Sequence, residues 1–154
     1  KDGWKGLFGV DFVMDGMSRK IYLIEINARQ PASTTFESQL EQIEREKGQK
    51  GITTFEAHIR ALLDLPIDQN IISIENGAQI VQRITKNIQS VFDDSAKELN
   101  AKGFEVLIYE NTAPNSDLIR IQTESSLMEN HNIFNMKGQE IVEVIKSSKI
   151  NLAV

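Results

Sequence analysis

Two short stretches decide the fold: residues 7–14 read LFGVDFVM, and residues 20–26 read KIYLIEI. Both are rich in apolar, β-branched and aromatic residues, and a turn-forming stretch at 15–19 (DGMSR) separates them. This pattern predicts a β-hairpin with a short, glycine-containing loop.

The register of this hairpin decides which side chains meet, because residues alternate between the two faces of a strand. A five-residue loop predicts that Met14 lies opposite Lys20. In that register Asp11, Glu25 and Asn27 point to one face, and the two carboxylates are diagonal neighbours about 7–8 Å apart at the backbone. A one-residue slip in the pairing would separate them.

The two acids have a functional and a structural interpretation. On a solvated hairpin face they need no ligand, because most carboxylates in proteins are hydrated. However, the predicted register gives them apolar neighbours on their own face: Leu7, Val13, Ile21 and Leu23. The opposite face is more apolar still, so we expect a sheet buried on both sides. Carboxylates on an apolar face need a partner, which favours a binding site.

Asp11, Glu25 and Asn27 offer two carboxylates and an amide oxygen. This all-oxygen set is typical of Mg²⁺ or Mn²⁺ and unsuited to zinc. Mg²⁺ usually takes one or two protein carboxylates and completes its shell with water and substrate phosphate. Arg29 follows the second strand and has the planar donor fork that recognises phosphoryl oxygens. The residues therefore predict a magnesium site that is completed by a phosphate-bearing ligand.

Beyond the hairpin, apolar spacing predicts a helix from Thr34 or Thr35, either of which could cap it, to about residue 47, and a second at about 54–63. The later predicted elements are a strand at 78–84, a short helix at 93–103, a second hairpin at 104–109 and 118–122, and a helix at 137–148. The prediction is an α+β fold: an antiparallel hairpin with packed helices (1–66), a linker (67–76) and a small α+β domain (77–154). We interpret His58 and His131 as packing or surface residues.

Composition limits the partners. The chain of 154 residues is 40% apolar and 25% charged, carries a formal net charge of −5 and has no cysteine. Disulfides and thiolate metal sites are excluded, and the acidic balance argues against a nucleic-acid surface. No apolar run approaches the length of a membrane span. We expect a cytoplasmic protein without nucleic-acid or membrane partners, and a homodimer remains compatible with the sequence.

The segments GLFGVDF (6–12) and YLIEINAR (22–29) resemble the last catalytic hairpin of ATP-grasp ligases. The strong resemblance covers about residues 3–35, and a weaker one continues through FEAHIRALL (55–63) and the following Leu65-Pro66. The resemblance implies that Asp11, Glu25 and Asn27 hold Mg²⁺ against the phosphates of ATP. It also implies that Glu25 and Asn27 belong to the nucleotide-binding site. It implies that Arg29 stabilises an acyl-phosphate stage, and that the region after residue 76 is a variable post-grasp domain.

The function implied by this resemblance is that of an ATP- and Mg²⁺-dependent ligase, which activates a small carboxylate as an acyl phosphate for attack by an amine, a thiol or another nucleophile. The alternative is a non-catalytic scaffold or assembly module derived from such an enzyme. The patterned strand starts within a few residues of Lys1, so we expect that an upstream segment was removed or that the chain is a piece of a longer one. Because the phosphate-binding lysines of ATP-grasp enzymes precede this hairpin, we expect the chain alone to be inactive.

Overall fold

The computed structural model describes residues 3–86 and 93–147. It is a mixed α+β structure in which every sheet is antiparallel, so the predicted α+β class is confirmed at this level. The chain divides into two compact units, Lys1–Glu75 and Asn76–Val154. Within the first unit, residues 70–72 lie in the stretch that the sequence predicts as a linker. Here Asn70 and Ile72 form backbone hydrogen bonds with Ile52, each 3.0 Å long.

The first unit opens with the predicted hairpin. Strand β1 (Gly9–Met14) pairs with strand β2 (Ile21–Asn27) in a two-stranded antiparallel sheet. At the tip, the Asp15 carboxylate accepts hydrogen bonds from the backbone N–H groups of Met17 and Ser18. The hydrogen bonds from Ser18, and to a smaller extent that from Met17, lower the pKa of Asp15. The aspartate therefore fixes the turn as an acceptor, which is its common role in tight loops.

Two helices follow, α1 (Thr34–Glu46) and α2 (Thr54–Leu62). The predicted threonine cap of α1 is wrong, because Ser33 occupies the N-cap position and its side chain makes no capping bond. Helix α2 begins with a complete capping box between Thr53 and Glu56. Capping satisfies backbone N–H groups that have no partner within the helix.

The elements of the second unit are β3 (Ala78–Arg83), α3 (Asp93–Ala101), β4 (Glu105–Ile108), β5 (Asp117–Thr123), β6 (Met128–Asn130), β7 (Ile133–Phe134) and α4 (Met136–Ser147). Three of the strands form an antiparallel sheet with the order β3–β5–β4. The predicted second hairpin is confirmed as β4 and β5. The predicted last helix is confirmed as α4, while its predicted end at residue 148 lies outside the described residues. The short β6–β7 pair was not predicted.

The buried core of the second unit joins this sheet to both of its helices. It consists of Leu99, Phe104, Ile119, Ile121, Leu127, Ile141, Val144 and Ile145. Strand β5 supplies two of these residues because it is the central strand of the sheet. This unit therefore has a continuous core of its own.

Candidate functional site

The register of the β1–β2 hairpin differs from the prediction at its turn. Met14 pairs with Ile21 and not with Lys20, because the loop is one residue longer than expected. If this pairing continued along the whole hairpin, Glu25 would lie opposite Val10 and on the face away from Asp11.

A β-bulge in the middle of the hairpin changes this outcome. Phe12 pairs with Leu23, but the next residue, Asp11, pairs with Glu25, so that Ile24 is an extra residue on β2. A bulge of this kind inserts one unpaired residue and moves the register beyond it by one. Asp11 and Glu25 therefore lie directly opposite each other, and the prediction that they are diagonal neighbours is wrong.

Asn27 joins the two acids. Its pairing partner across the sheet is Gly9, which places it two residues along the same face. The Nδ2 group donates one hydrogen bond to Asp11 Oδ2 and one to Glu25 Oε1, both 3.0 Å long. The structure thus brings together the three side chains that the sequence selected, through a register that the sequence did not predict.

The surroundings of the acids are more open than predicted. Both Phe12 and Leu23, a cross-strand pair, expose 62% of their surface. Their pairing also places Leu23 on the face opposite Asp11, contrary to the predicted register. The prediction of a sheet buried on both faces is therefore wrong for the described residues, because no third strand pairs with this sheet and the side chains on its two faces stay exposed.

Arg29 follows the site at the end of β2. Its backbone N–H donates to Asn27 O at 2.7 Å, which turns the chain away from the strand. The side chain is exposed, and within the described residues its guanidinium is in neither a hydrogen bond nor an ion pair. The arginine is therefore close in sequence to the acids and available for an anionic ligand.

The ligand chemistry of this group is limited. No set of three His, Cys, Asp or Glu side chains suited to a metal ion occurs in residues 3–86 and 93–147. Asp11, Glu25 and Asn27 supply only two carboxylates, and the third donor is an amide. Such a set fits a cation that keeps several water ligands, as Mg²⁺ does, and does not form a closed structural metal site.

An apolar groove lies beside the site end of the hairpin. Trp4, Phe8, Ile26 and Ala28 line it, and its volume is about 240 Å³. Phe8 and Ile26 belong to the face opposite the acids, since Ile26 pairs with Val10. No sequence pattern indicated this groove.

His58 was not recognised from the sequence as part of the hairpin's support. Its Nδ1 atom accepts a hydrogen bond of 3.0 Å from the backbone N–H of Leu7, two residues before β1. The ring also lies 6.4 Å from the Phe55 ring, measured between centroids. Helical spacing places His58 on α2, but only the tertiary fold brings it to the start of β1.

No family model, curated protein or solved structure matches this chain. Among the helices in the described part of the chain, none has both the length and the apolar character needed to cross a lipid bilayer.

Proposed function

We propose that the β1–β2 hairpin is the magnesium-holding hairpin of an ATP-grasp-type ligase, with Asp11, Glu25 and Asn27 as its ligands. The observation that carries this proposal is the convergence of the three side chains, in which one amide group bridges two directly opposed carboxylates. Two like charges at such a position repel each other unless a donor or a cation lies between them. The Asn27 amide supplies that donor.

The three residues suit a hard divalent cation. Carboxylate oxygens would bind it directly, and Asn27 would present its Oδ1 atom, because an amide nitrogen does not ligate such an ion. Mg²⁺ held by two carboxylates takes water or phosphate oxygens as its remaining ligands. The cation would supply charge stabilisation for a phosphoryl group in transfer.

The chain's own residues divide the remaining tasks. Asp11 and Glu25 act as ligands and not as general bases. Arg29 would bind the oxygens of an acyl phosphate, since its guanidinium is exposed and has the fork geometry for a phosphoryl group. The co-substrate would be ATP, and the acceptor chemistry would join a small carboxylate to an amine, a thiol or another nucleophile. We place this reaction in the cytoplasm.

The two units would correspond to two parts of such an enzyme. The first unit would be the carboxyl-terminal part of an ATP-grasp domain, and the second unit a post-grasp domain. The exposed apolar side chains of the hairpin support this assignment, because a hairpin of only two strands is marginally stable and usually belongs to a larger sheet.

A titration with Mn²⁺, followed by electron paramagnetic resonance, tests the ligand set directly. We expect weak but saturable binding by the 154-residue chain, and an affinity at least about tenfold lower for Glu25→Gln and for Asp11→Asn, since each removes a charged ligand. Glu105→Gln is the matched control, because Glu105 is also an exposed glutamate on a strand. Equal affinity in all four proteins would refute the assignment.

A second experiment separates the enzyme from the non-catalytic scaffold. The exposed hairpin is also what an assembly module would present to a partner. The full-length product of the gene should hydrolyse or transfer phosphate from ATP in a Mg²⁺-dependent way, with a loss of orders of magnitude in Glu25→Gln. An ATP-inert full-length protein that still binds Mn²⁺ would support the scaffold.

A further inference from the structure

We infer that His58 is a positioning residue, which holds the start of β1 against α2 only while its imidazole is neutral. For the metal site this inference rests on the proposed function, whereas the contact between His58 and the strand does not. The consequence would be a proton-sensitive attachment of the strand that carries Asp11. We call the contact of His58 with Gly6 and Leu7 the clasp.

The hydrogen bond of the clasp defines the state of the ring. A backbone N–H can only donate, so His58 Nδ1 must offer a lone pair to Leu7 N at 3.0 Å. In the neutral ring the proton then lies on Nε2. Protonation places a second N–H on Nδ1, which would then face the N–H of Leu7. The hydrogen bond cannot survive this change.

Gly6 allows the ring to come this close. Its φ is +87°, a backbone conformation that glycine adopts readily. A Cβ atom at this position would lie 2.5 Å from His58 Nδ1 and 2.7 Å from Cε1. A side chain at position 6 would therefore displace the imidazole, so the glycine and the histidine form one contact.

The charged groups around the clasp are already engaged. Lys5, in the segment before β1, pairs with Asp64 beyond the end of α2, at 2.6 Å between Nζ and Oδ2. On α2 itself, Glu56 pairs with Arg45, and Arg60 donates to the carbonyl of Pro66. The helical neighbours of His58 one turn away are uncharged: Thr54, Phe55, Ala61 and Leu62.

Among the described residues, two polar side-chain contacts join the segment before β1 to α2 and the residues just after it: the clasp and the exposed Lys5–Asp64 pair. An exposed ion pair adds little stability, so it does not replace the lost hydrogen bond. Asp11 is the third residue of β1 and lies four residues after Leu7 in the chain. Release of the clasp would therefore loosen the segment that leads into β1 and hence the end of the strand that carries Asp11.

Amide hydrogen exchange measured by NMR between pH 5 and 8 tests the clasp. The protection factor of the Leu7 amide in the wild type should fall about fivefold as His58 becomes protonated. A fall of this size corresponds to the loss of one hydrogen bond. His58→Asn keeps an acceptor near the Nδ1 position but cannot be protonated, so its protection factor should not change with pH. His58→Leu should show low protection at every pH.

Mn²⁺ affinity, measured on the same proteins, tests the link to the site. The wild type should lose more affinity between pH 7.5 and 5.5 than His58→Asn, since protonation of the carboxylates affects both proteins equally. Equal losses of Mn²⁺ affinity in the two proteins would overturn the positioning role. A Leu7 protection factor that stays constant while His58 becomes protonated would overturn the clasp. If the wild type binds no Mn²⁺ at pH 7.5, the proposed function fails, and the Leu7 data alone decide the clasp.

Discussion

Glu41 is 1% exposed and connects the two helices of the first unit. One of its carboxylate oxygens accepts a hydrogen bond from the Thr54 backbone N–H, and the other accepts one from the Thr54 hydroxyl, both at 2.6 Å. Thr54 is the first residue of α2, so its N–H has no partner inside the helix. A buried acid at this position is therefore part of the fold and not a spare ligand.

Replacement of Glu41 by leucine should lower the free energy of unfolding by about 1–3 kcal/mol, because a buried N–H loses its acceptor. Glu41→Gln should cost less, since the Thr54 hydroxyl can turn and accept from the new amide while the amide oxygen keeps the backbone bond. Urea denaturation followed by circular dichroism measures both. Equal losses in the two variants would contradict this account.

Glu37, one turn before Glu41, makes a prediction about pH. Burial, followed by the charge of Glu41, raises the pKa of Glu37 above 4.5. The folded state therefore binds this proton more tightly than the unfolded state. Above its folded pKa, ionised Glu37 destabilises the fold, and this destabilisation disappears as the pH falls toward 4.5. Glu37→Gln should be slightly more stable than the wild type at pH 7 and equal to it near pH 4. A variant that is less stable at pH 7 would contradict the sign.

At the scale of the element, the capping box of α2 carries the next prediction. Thr53→Ala should cost about 1 kcal/mol of unfolding free energy, whereas Thr53→Ser should retain most of the stability. The hydrogen bond from the Thr53 backbone, and then that from Arg45, lower the pKa of Glu56. The Glu56 carboxylate therefore contributes to the free energy of unfolding above pH 4.5, and this contribution is lost as the pH falls through the folded pKa of Glu56. Thermal melts at pH 7 and pH 3 measure both effects.

The elements show what the sequence could and could not reveal. The strands and helices were predictable because their apolar spacing is local. The pairing of Met14 with Ile21 was not, since loop length alone did not fix the turn. The bulge at Ile24 has no local signal either, because an isoleucine suits a regular strand equally well. The three site residues were still chosen correctly as neighbours, since two register shifts of one residue each add up to a shift of two, which keeps them on one face.

At the scale of the whole molecule, exposed apolar residues are concentrated in the hairpin. Its side chains include Val10, Phe12, Met14, Ile21, Tyr22, Leu23, Ile24 and Ile26, all of them exposed. Sequence patterning predicted these side chains to be buried, because it identifies residues suited to a core but not whether other parts of a protein cover them. Large exposed apolar patches usually mark interaction surfaces.

The double substitution Phe12→Thr with Leu23→Thr should lower the binding of the dye ANS and any concentration-dependent association. Because both residues are exposed, the stability of the fold should change by less than about 0.5 kcal/mol each. Ile108→Thr, at an exposed strand residue of the second unit, is the control and should leave dye binding near the wild-type level. Dye fluorescence and sedimentation velocity measure the two effects, and unchanged fluorescence in the double variant would contradict the prediction.

The bulge at Ile24 also has a consequence for length variation. It divides the hairpin into a turn half and a site half, and each half keeps its own register. An inserted or deleted residue at the turn shifts only the first half, provided that the bulge is gained or lost to absorb the difference. We therefore expect the hairpin to accept loops of different lengths while Asp11 and Glu25 stay directly opposed. The sequence and length of the loop can then vary without changing the pairing of the two acids.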